Sequence, residues 1–265
     1  MPKFAANLSM MFTESPFLDR FAAASDAGFR AVEFLFPYDH QPDTVANRAA
    51  AAGVDIILFN TPAGDWAAGE RGIACLPGRE DEFRAGVEKA FSYATSLGAK
   101  RIHAMAGIVP QSANCENYRA TLIENLKYAA RRLAKGGITV LLEAINTQDI
   151  PGFVVSTQAD CHSICRAVDL PNMKMQMDLY HMQMMEGDLA KKLERYAQDC
   201  GHIQIAGCPG RNEPDTGEIR YEYLFRRLDE LGYRGWVGCE YRPAADTSGG
   251  LAWMRQFIDF TPSLR

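Results

Sequence analysis

Four oxygen-bearing side chains, Glu143, Asp178, Gln204 and Glu240, each close a short apolar run: TVLLE, KMQMD, HIQ and GWVGCE. The intervals between them are 35, 26 and 36 residues, about one strand–helix repeat each. A single carboxylate at a strand end is as ordinary in a salt bridge or helix cap as in a ligand set. Four such groups on consecutive strands, at one end, form a constellation. Three clustered carboxylates repel one another unless a cation or a retained proton offsets them. All four groups donate oxygen, which favours a hard divalent ion, Mg2+ or Mn2+, over a softer metal. The set leaves room for two adjacent substrate oxygens. Three carboxylates around a doubly charged ion remain net negative, so an acidic substrate requires basic help nearby. Arg211, seven residues past Gln204 on a long connection, can supply it, and Arg242, two past Glu240, is the weaker choice. His181, three residues beyond Asp178, can hydrogen-bond a substrate hydroxyl or carbonyl. Asn7 and Asn60, at the ends of the first and third expected strands, can face the same pocket, although Asn commonly opens loops. His103 reads as a core or supporting residue.

These residues need a frame that brings strand ends together. The chain alternates β-type and helical periodicity from end to end. Strands are expected at 4–8, 31–34, 55–59, 101–105, 139–143, 173–178, 202–206 and 236–240. Helical stretches lie between them, for example 16–27 after a Ser15 cap, 80–97 ending at Gly98, 115–135 ending at Gly136-Gly137, and 221–231 ending at Gly232. Eight β-then-α units without a break predict an α/β fold, a closed (β/α)8 TIM barrel. An open dinucleotide-binding sheet would carry a Gly-rich loop after its first strand, where this chain reads Ser9-Met10-Met11-Phe12. Long connections follow the strands at 60–79, 107–114, 144–156 and 207–220, and such loops build the rim where barrels place chemistry. Alternation along each strand turns Leu141 inward with Glu143, Gln176 with Asp178, His202 with Gln204 and Gly238 with Glu240. Thr247-Ser248-Gly249-Gly250 sits where barrels often bind phosphate, but a capped turn is the plainer reading.

At 265 residues the whole chain, 1–265, reads as one barrel domain, since no linker or low-complexity stretch divides it. A net charge of −5 argues against a general grip on nucleic acid or an anionic membrane. No apolar stretch is long enough to span a bilayer. Seven cysteines, odd in number and irregularly spaced, suit reduced thiols and a cytoplasmic setting. Cys161, His162 and Cys165 lack a C-x-x-C partner, and the i,i+4 cysteines fit the buried face of a helix better than zinc. The partner expected is a small molecule, and a homo-oligomer is compatible with the sequence.

The segments FAANLSMMFTE at 4–14, AVEFLFPYD at 31–39, FNTPAGDWAAGERG at 59–72, LPGRE at 76–80, EAINTQDIPG at 143–152, MDLYHMQMMEGDL at 177–189, HIQIAG at 202–207, PGRNEPDTGEI at 209–219 and GYRGWVGCEYRP at 232–243 resemble the hydroxypyruvate isomerase family of the xylose-isomerase-like TIM barrels. The resemblance runs over nearly the whole chain. It implies that Glu143 and Glu240 are proton donor and acceptor as well as metal ligands, and that Asp178 and Gln204 are ligands only. It implies an unphosphorylated hydroxy-oxo acid substrate and interconversion of hydroxypyruvate with 2-hydroxy-3-oxopropanoate. Related ketose 3-epimerases carry a histidine at the Gln204 position and a substrate-binding histidine at the His181 position. IAG at 205–207, in place of IAD, is closer to the 2-oxo-tetronate isomerase branch, and Asn212 stands where His is frequent. These departures bear on substrate choice more than on reaction type.

Overall fold

The computed structural model describes residues 2–257; Met1 and residues 258–265 of the expected single domain lie outside the described residues. Eight strands, β1 (Lys3–Asn7), β2 (Ala31–Glu33), β3 (Asp55–Asn60), β4 (Arg101–His103), β5 (Thr139–Glu143), β6 (Met173–Asp178), β7 (Cys200–Ile205) and β8 (Trp236–Cys239), run in sequence order around a closed barrel. Every neighbouring pair is parallel, including β8 with β1, where Lys3 lies beside Trp236 and Ala6 beside Cys239. The helices are α1 (Arg20–Asp26), α2 (Pro42–Ala52), α3 (Glu80–Leu97), α4 (Cys115–Ala134), α5 (Gln158–Val168), α6 (Leu179–Met185), α7 (Leu189–Tyr196) and α8 (Tyr221–Glu230).

The period-2 pattern of the strands sorts side chains into two shells. Outward residues such as Phe4, Val32, Phe59, Val140, Met175, Ile203 and Val237 join the helices in the main core. Within it Phe34 stacks on Phe59 at 6.2 Å and meets Phe21 edge-on at 6.0 Å. Truncating a buried Phe of this kind to Ala costs about 3–5 kcal/mol. Inward residues Ala5, Ala31, Ile57, Leu58 and Leu141 form a separate small cluster with Trp236 packed against it. Above that plug the inward positions turn polar, as Asn7, Glu33, Asn60, Glu143, Gln176, Asp178, His202 and Gln204, all buried.

Two expectations shift. The helix anticipated over 16–27 begins as a 3-10 turn, Phe17–Asp19, and becomes α-helical only at Arg20. Ser15 therefore caps nothing with its side chain; its carbonyl accepts from Arg20 Nε at 2.9 Å, and Leu8 O accepts from Nη1 at 2.6 Å. The expected strand ends move by one or two residues, so Glu240 stands just past β8. The helix stop at Gly98 is as anticipated, with φ 69°, a conformation that costs glycine nothing. Cys161 and Cys165 lie buried on α5, His162 pairs with Asp199 at 2.9 Å, and all seven cysteines are free.

The long loops after the strands are laced together. Antiparallel bridges join Gly72 to Ala106 and Ile108 to Phe153, linking the connections after β3, β4 and β5. Gly72 is required at the first bridge: a Cβ there would stand 2.3 Å from Met105 O. These ties give the rim loops defined positions over the barrel mouth.

Candidate active site

A cavity of about 570 Å3 opens at the C-terminal ends of the strands. Glu143, Gln204, Glu240, His181, Arg211, Asn7 and Asn60 all line it. Glu143 ends β5, Asp178 ends β6, and Glu240 follows β8. One ligand atom each from Glu143, Asp178, His181 and Glu240 lies within 4.8 Å of all the others, and all four residues are buried. The structure thus brings together the eight residues singled out by type and spacing.

The electrostatics are those of crowded, desolvated acids. Burial holds the Glu143 carboxyl well above the usual carboxylate range, and the charges of Glu240 and Asp178 push it further. Burial also raises Asp178, against the pull of Arg211 and a hydrogen bond from the Tyr180 amide. Burial raises Glu240 to about 8, again opposed by Arg211. The charges that would relieve this strain are only partly present. Glu143 Oε1 and Asp178 Oδ2 are buried and have no hydrogen-bond partner. Oxygens left so are costly. A cation among them removes that cost, so the donor set fits a metal ion held by Glu143, Asp178 and Glu240.

Gln204 fits the same role by its orientation. Its Nε2 donates to Glu33 Oε1 at 2.7 Å, and its Oε1 accepts from Gln176 Nε2 at 2.6 Å. Because a carboxylate can only accept, Glu33 fixes which end of the amide is nitrogen. The oxygen is left facing away from Glu33 with a second lone pair.

His181 sits in the first turn of α6, which begins directly after β6. Asp178 caps that helix, its Oδ1 accepting from the Tyr180 amide at 2.8 Å. His181 Nδ1 lies 2.7 Å from Asn146 Nδ2 and 3.4 Å from the Asn146 amide nitrogen. Asn146 Oδ1 accepts from the amides of Gln148 and Asp149, so its Nδ2 is the end that meets the imidazole. Nδ1 is therefore an acceptor, and the network assigns the proton of the neutral ring to Nε2. Nε2 lies 3.6 Å from Asp178 Oδ2 and 3.8 Å from Glu143 Oε1. Arg211 Nη2, 3.3 Å from Nε2, can only donate and so favours the other tautomer, but it faces two donors from Asn146 on Nδ1, the nearer at 2.7 Å. His181 is a donor facing the site rather than a fourth carboxylate-like ligand. Burial, then Arg211 and His103, keep its pKa well below the ordinary imidazole value, so the ring stays neutral.

Arg211 adopts φ 55°, an uncommon conformation for a side-chain-bearing residue. The surrounding loop enforces it: Arg211 N donates to Gly207 O, Gly207 N to Asn212 O, and Arg242 N to Arg211 O. Gly207 permits this fold-back, because a Cβ there would meet Glu213 O at 2.5 Å. The guanidinium is thereby placed 2.9 Å from Glu240, 3.6 Å from Asp178 and 3.5 Å from Asp149. Burial works against its charge, but these carboxylates outweigh that and hold its pKa above the ordinary value.

Asn7 Nδ2 bridges Glu33 Oε1 at 3.1 Å and Glu240 Oε1 at 3.3 Å. Glu33 went unremarked among the strand-end acids, although it closes AVE as Glu143 closes TVLLE. It lies across the barrel interior with Asn7, His202 and Gln204 all donating to it, His202 at 2.6 Å. Gly238 is small for this reason: a Cβ there would stand 2.4 Å from both Glu33 oxygens. Asn146 was missed as well. It stands three residues past Glu143, as His181 stands three past Asp178 on the adjacent strand, and that shared offset is the signal for the pair. His103, 3.7 Å from Glu143 Oε2, is the supporting residue expected, and burial together with His202 lowers its pKa to about 3. The Thr247–Gly250 turn is a capped turn: Glu14 accepts from the Thr247 amide at 2.6 Å and Asp246 from the Gly249 amide at 2.8 Å.

A (β/α)8 barrel with buried carboxylates, a neutral imidazole donor and an arginine at its C-terminal rim is the build of an acid–base enzyme for small polar substrates. A family model described as xylose isomerase-like TIM barrel matches residues 21–257, and the chain belongs to that family. It is 55% identical to the 2-oxo-tetronate isomerase of Cupriavidus necator over 97% of this chain and 99% of that one. It is 50% identical to the hydroxypyruvate isomerase of Escherichia coli K12, over 96% of this chain and 98% of that one. Among solved structures, one titled AP endonuclease, family 2 from Brucella melitensis superposes with a TM-score of 0.96 at 49% identity, covering 98% of this chain and 100% of that one. A D-psicose 3-epimerase structure in the presence of D-fructose shares the fold, with a TM-score of 0.80 at 16% identity, over 97% of this chain and 99% of that one.

Proposed function

We propose that the chain interconverts hydroxypyruvate and 2-hydroxy-3-oxopropanoate, an aldose–ketose isomerisation carried by Glu143 and Glu240. The chain is an enzyme of the isomerase class, and both its 2-oxo-tetronate and hydroxypyruvate isomerase relatives match it over nearly full length. The observation that carries the reading is the buried cluster of Glu143, Asp178, His181 and Glu240, with Glu143 Oε1 and Asp178 Oδ2 unpaired. Glu143, Asp178, Gln204 and Glu240 are all oxygen donors, and a site of this kind takes Mg2+ or Mn2+. When bound, the divalent ion supplies positive charge against the negative charge that builds on two adjacent substrate oxygens.

The protein's own groups move the proton. One glutamate takes it from the hydroxymethyl carbon; the C–H pair forms a double bond to the neighbouring carbon, and the carbonyl π pair moves onto that carbon's oxygen, which takes up a proton to give the enediol. A proton delivered to that neighbouring carbon, as the hydroxyl on the first carbon gives up its own proton and becomes the new C=O, yields the aldehyde. Both glutamates are buried with raised pKa values, Glu240 at about 8. A group raised as far as Glu240 gives and takes protons readily near neutrality. His181 Nε2–H donates toward the reacting oxygens, and Asn146 keeps that proton in place. Arg211 steadies Glu240 and offsets part of the cluster's charge. Asn7 and Asn60 line the wall beside it.

A second reading, isomerisation of a 2-oxo-tetronate, uses the same residues. It is favoured by the 55% relative and by a cavity of about 570 Å3, roomy for a three-carbon acid. A nuclease reading lacks support: the cluster holds one histidine, and the net charge is −5. The test is an NMR assay in D2O with Mn2+- or Mg2+-loaded enzyme, hydroxypyruvate, a 2-oxo-tetronate and a ketohexose. The expected result is an aldehyde–ketone interconversion of an acid with deuterium incorporated at carbon. Turnover of the ketohexose alone overturns the acid assignment.

A further inference from the structure

We propose that Arg71, on the loop after β3, is the anchor for the substrate's carboxylate; the inference rests on the hydroxy-oxo acid reading above. Three arginines line the cavity, Arg71, Arg211 and Arg242. Arg211 is already within ion-pair distance of Glu240, Asp178 and Asp149, so its charge is shared among resident acids. Among the described residues Arg71 and Arg242 have no carboxylate partner. Arg242 is exposed, whereas Arg71 is held.

The holding is specific. Arg71 Nη1 donates to Trp66 O at 3.1 Å and to Glu70 O at 2.7 Å. Its guanidinium carbon sits 4.0 Å from the centre of the Trp66 ring, whose edge meets Phe36 at 5.1 Å. The neighbouring acid, Glu70, is drawn off by Arg79 and by the Asp65 amide. On the other side, Gly72 is locked against Met105 and its amide donates to Ala63 O at 3.0 Å. One nitrogen of the guanidinium is thus spent on the loop, while Nη2 and Nε remain without a partner among the described residues. That free edge is the fork that receives a carboxylate through two parallel hydrogen bonds. Trp66, on an exposed stretch of the loop and itself 38% exposed, supplies a flat face beside the fork.

Charge decides the substrate's orientation. The carboxylate end is repelled by Glu143, Asp178 and Glu240, and the carbonyl and hydroxyl end belongs with them. A cavity that has acids at its base and an unpaired, stacked arginine on its wall seats a short hydroxy-oxo acid in one direction only. The same fork gives the site its preference for acids over neutral ketoses, since a neutral substrate leaves the guanidinium unpaired.

The test compares the parent enzyme with Arg71→Gln and Arg71→Lys, all Mn2+-loaded. The first readout is calorimetric titration with D-glycerate, an acid that has no ketone or aldehyde group and does not isomerise. The second is kcat and KM for hydroxypyruvate and for a 2-oxo-tetronate. The third uses dihydroxyacetone, which replaces the carboxylate of hydroxypyruvate with a neutral hydroxymethyl group, as substrate or competitor. Loss of a charged, two-pronged contact weakens binding about ten- to a hundredfold. We expect that loss in R71Q for glycerate affinity and for the KM of the acids, with kcat changed far less. R71K recovers part of it, and dihydroxyacetone binding is unchanged in both variants. Glycerate binding that is absent in the parent, or equal in parent and R71Q, overturns the anchor, as does an equal loss for dihydroxyacetone, which marks Arg71 as a loop staple. If the parent turns over neither acid yet glycerate binding still falls in R71Q, the anchor stands and the isomerase assignment fails. If the acids turn over and R71Q leaves their KM unchanged, the assignment stands and the anchor fails.

Discussion

The two halves of the barrel use the same kind of residue in opposite ways. β2 ends in Glu33 and β5 ends in Glu143, both buried and both inward. Glu33 is satisfied: Asn7, His202 and Gln204 all donate to it. Glu143 keeps an oxygen with no hydrogen-bond partner, and so does its neighbour Asp178 on β6. The first half of the barrel therefore supplies a braced acid and one of its donors, Asn7, while His202 and Gln204 reach across to it from β7. The second half supplies acids whose needs are left unmet by the protein. A buried carboxylate that the fold has already satisfied holds structure, and one the fold leaves unsatisfied awaits a cation or a substrate.

Neutralising one acid of each kind separates the two roles most directly. Glu143→Gln or Glu240→Gln is expected to lower kcat by about 10²- to 10⁴-fold, the usual contribution of a general acid–base group. Thermal stability should hold or rise in Glu143→Gln, whose Oε1 has no partner to lose, whereas Glu240→Gln gives up its ion pair with Arg211 and should not gain. Steady-state rates and calorimetric melting on the same preparation check both halves of the statement. Rates within a few-fold of the parent sink the catalytic assignment. Glu33→Ala should do the reverse in stability. His202 and Gln204 lose their acceptor and Asn7 loses one of its two, and each buried group left unpaired costs about 1–3 kcal/mol. Urea unfolding should show a loss of several kcal/mol, and an unchanged midpoint would show that Glu33 braces nothing.

The frame and the acid half of the site were legible because both rest on local periodicity. A strand announces its inward face by alternation, and Glu143, Asp178, Gln204 and Glu240 each end such a run. Glu33 carried the same mark but stands far from the others in sequence. Its role depends on reaching across the barrel over Gly238, a steric fact of closure rather than of spacing. Asn146 and Arg71 lie in connections, where no period governs direction. Their significance comes from hydrogen bonds to His181 and from stacking on Trp66, contacts that only the folded loops create. The Ser15 cap failed for a related reason: Arg20 reaches back to the Ser15 and Leu8 carbonyls, and the chain enters α1 through a tighter turn.

The crowded acids also set a pH signature. Glu240 is raised from an ordinary 4.5 to about 8. Between those values the folded chain keeps a proton that the unfolded chain has released, so stability falls as pH rises through the window. His103 works the other way, lowered from 6.5 to about 3, and costs stability as pH falls below 6.5. Above 6.5 that imidazole is neutral in both states, and the acids act alone. The metal-free protein should therefore lose about 2 kcal/mol for Glu240 between pH 6.5 and 8, from one proton over that interval. Added Mn2+ should raise the melting temperature more at pH 8 than at pH 6.5, since the ion takes the place of the proton. A metal-free melting temperature that is flat or rising across that window counts against the crowded-acid description.

The smallest effect is expected where the halves of the site meet. Asn146 touches no carboxylate of the cluster, yet it decides what His181 offers them. With Oδ1 held by two backbone amides, Nδ2 can only donate to His181 Nδ1, and Nε2 must carry the proton. Asn146→Ala removes that instruction. The backbone amide of residue 146 still approaches Nδ1 at 3.4 Å, so the correct tautomer is weakened rather than abolished. Arg211, 3.3 Å from Nε2, then competes to make that nitrogen the acceptor. A site that holds its imidazole proton on Nε2 for only part of the time loses activity in proportion. The expected fall in kcat is about tenfold, one hydrogen bond's worth, with KM little changed. Nitrogen-15 chemical shifts of the His181 ring read the tautomer directly. They should move from Nε2–H toward a mixture in the variant, and a pure Nε2–H ring with reduced kcat would place the effect of Asn146 elsewhere.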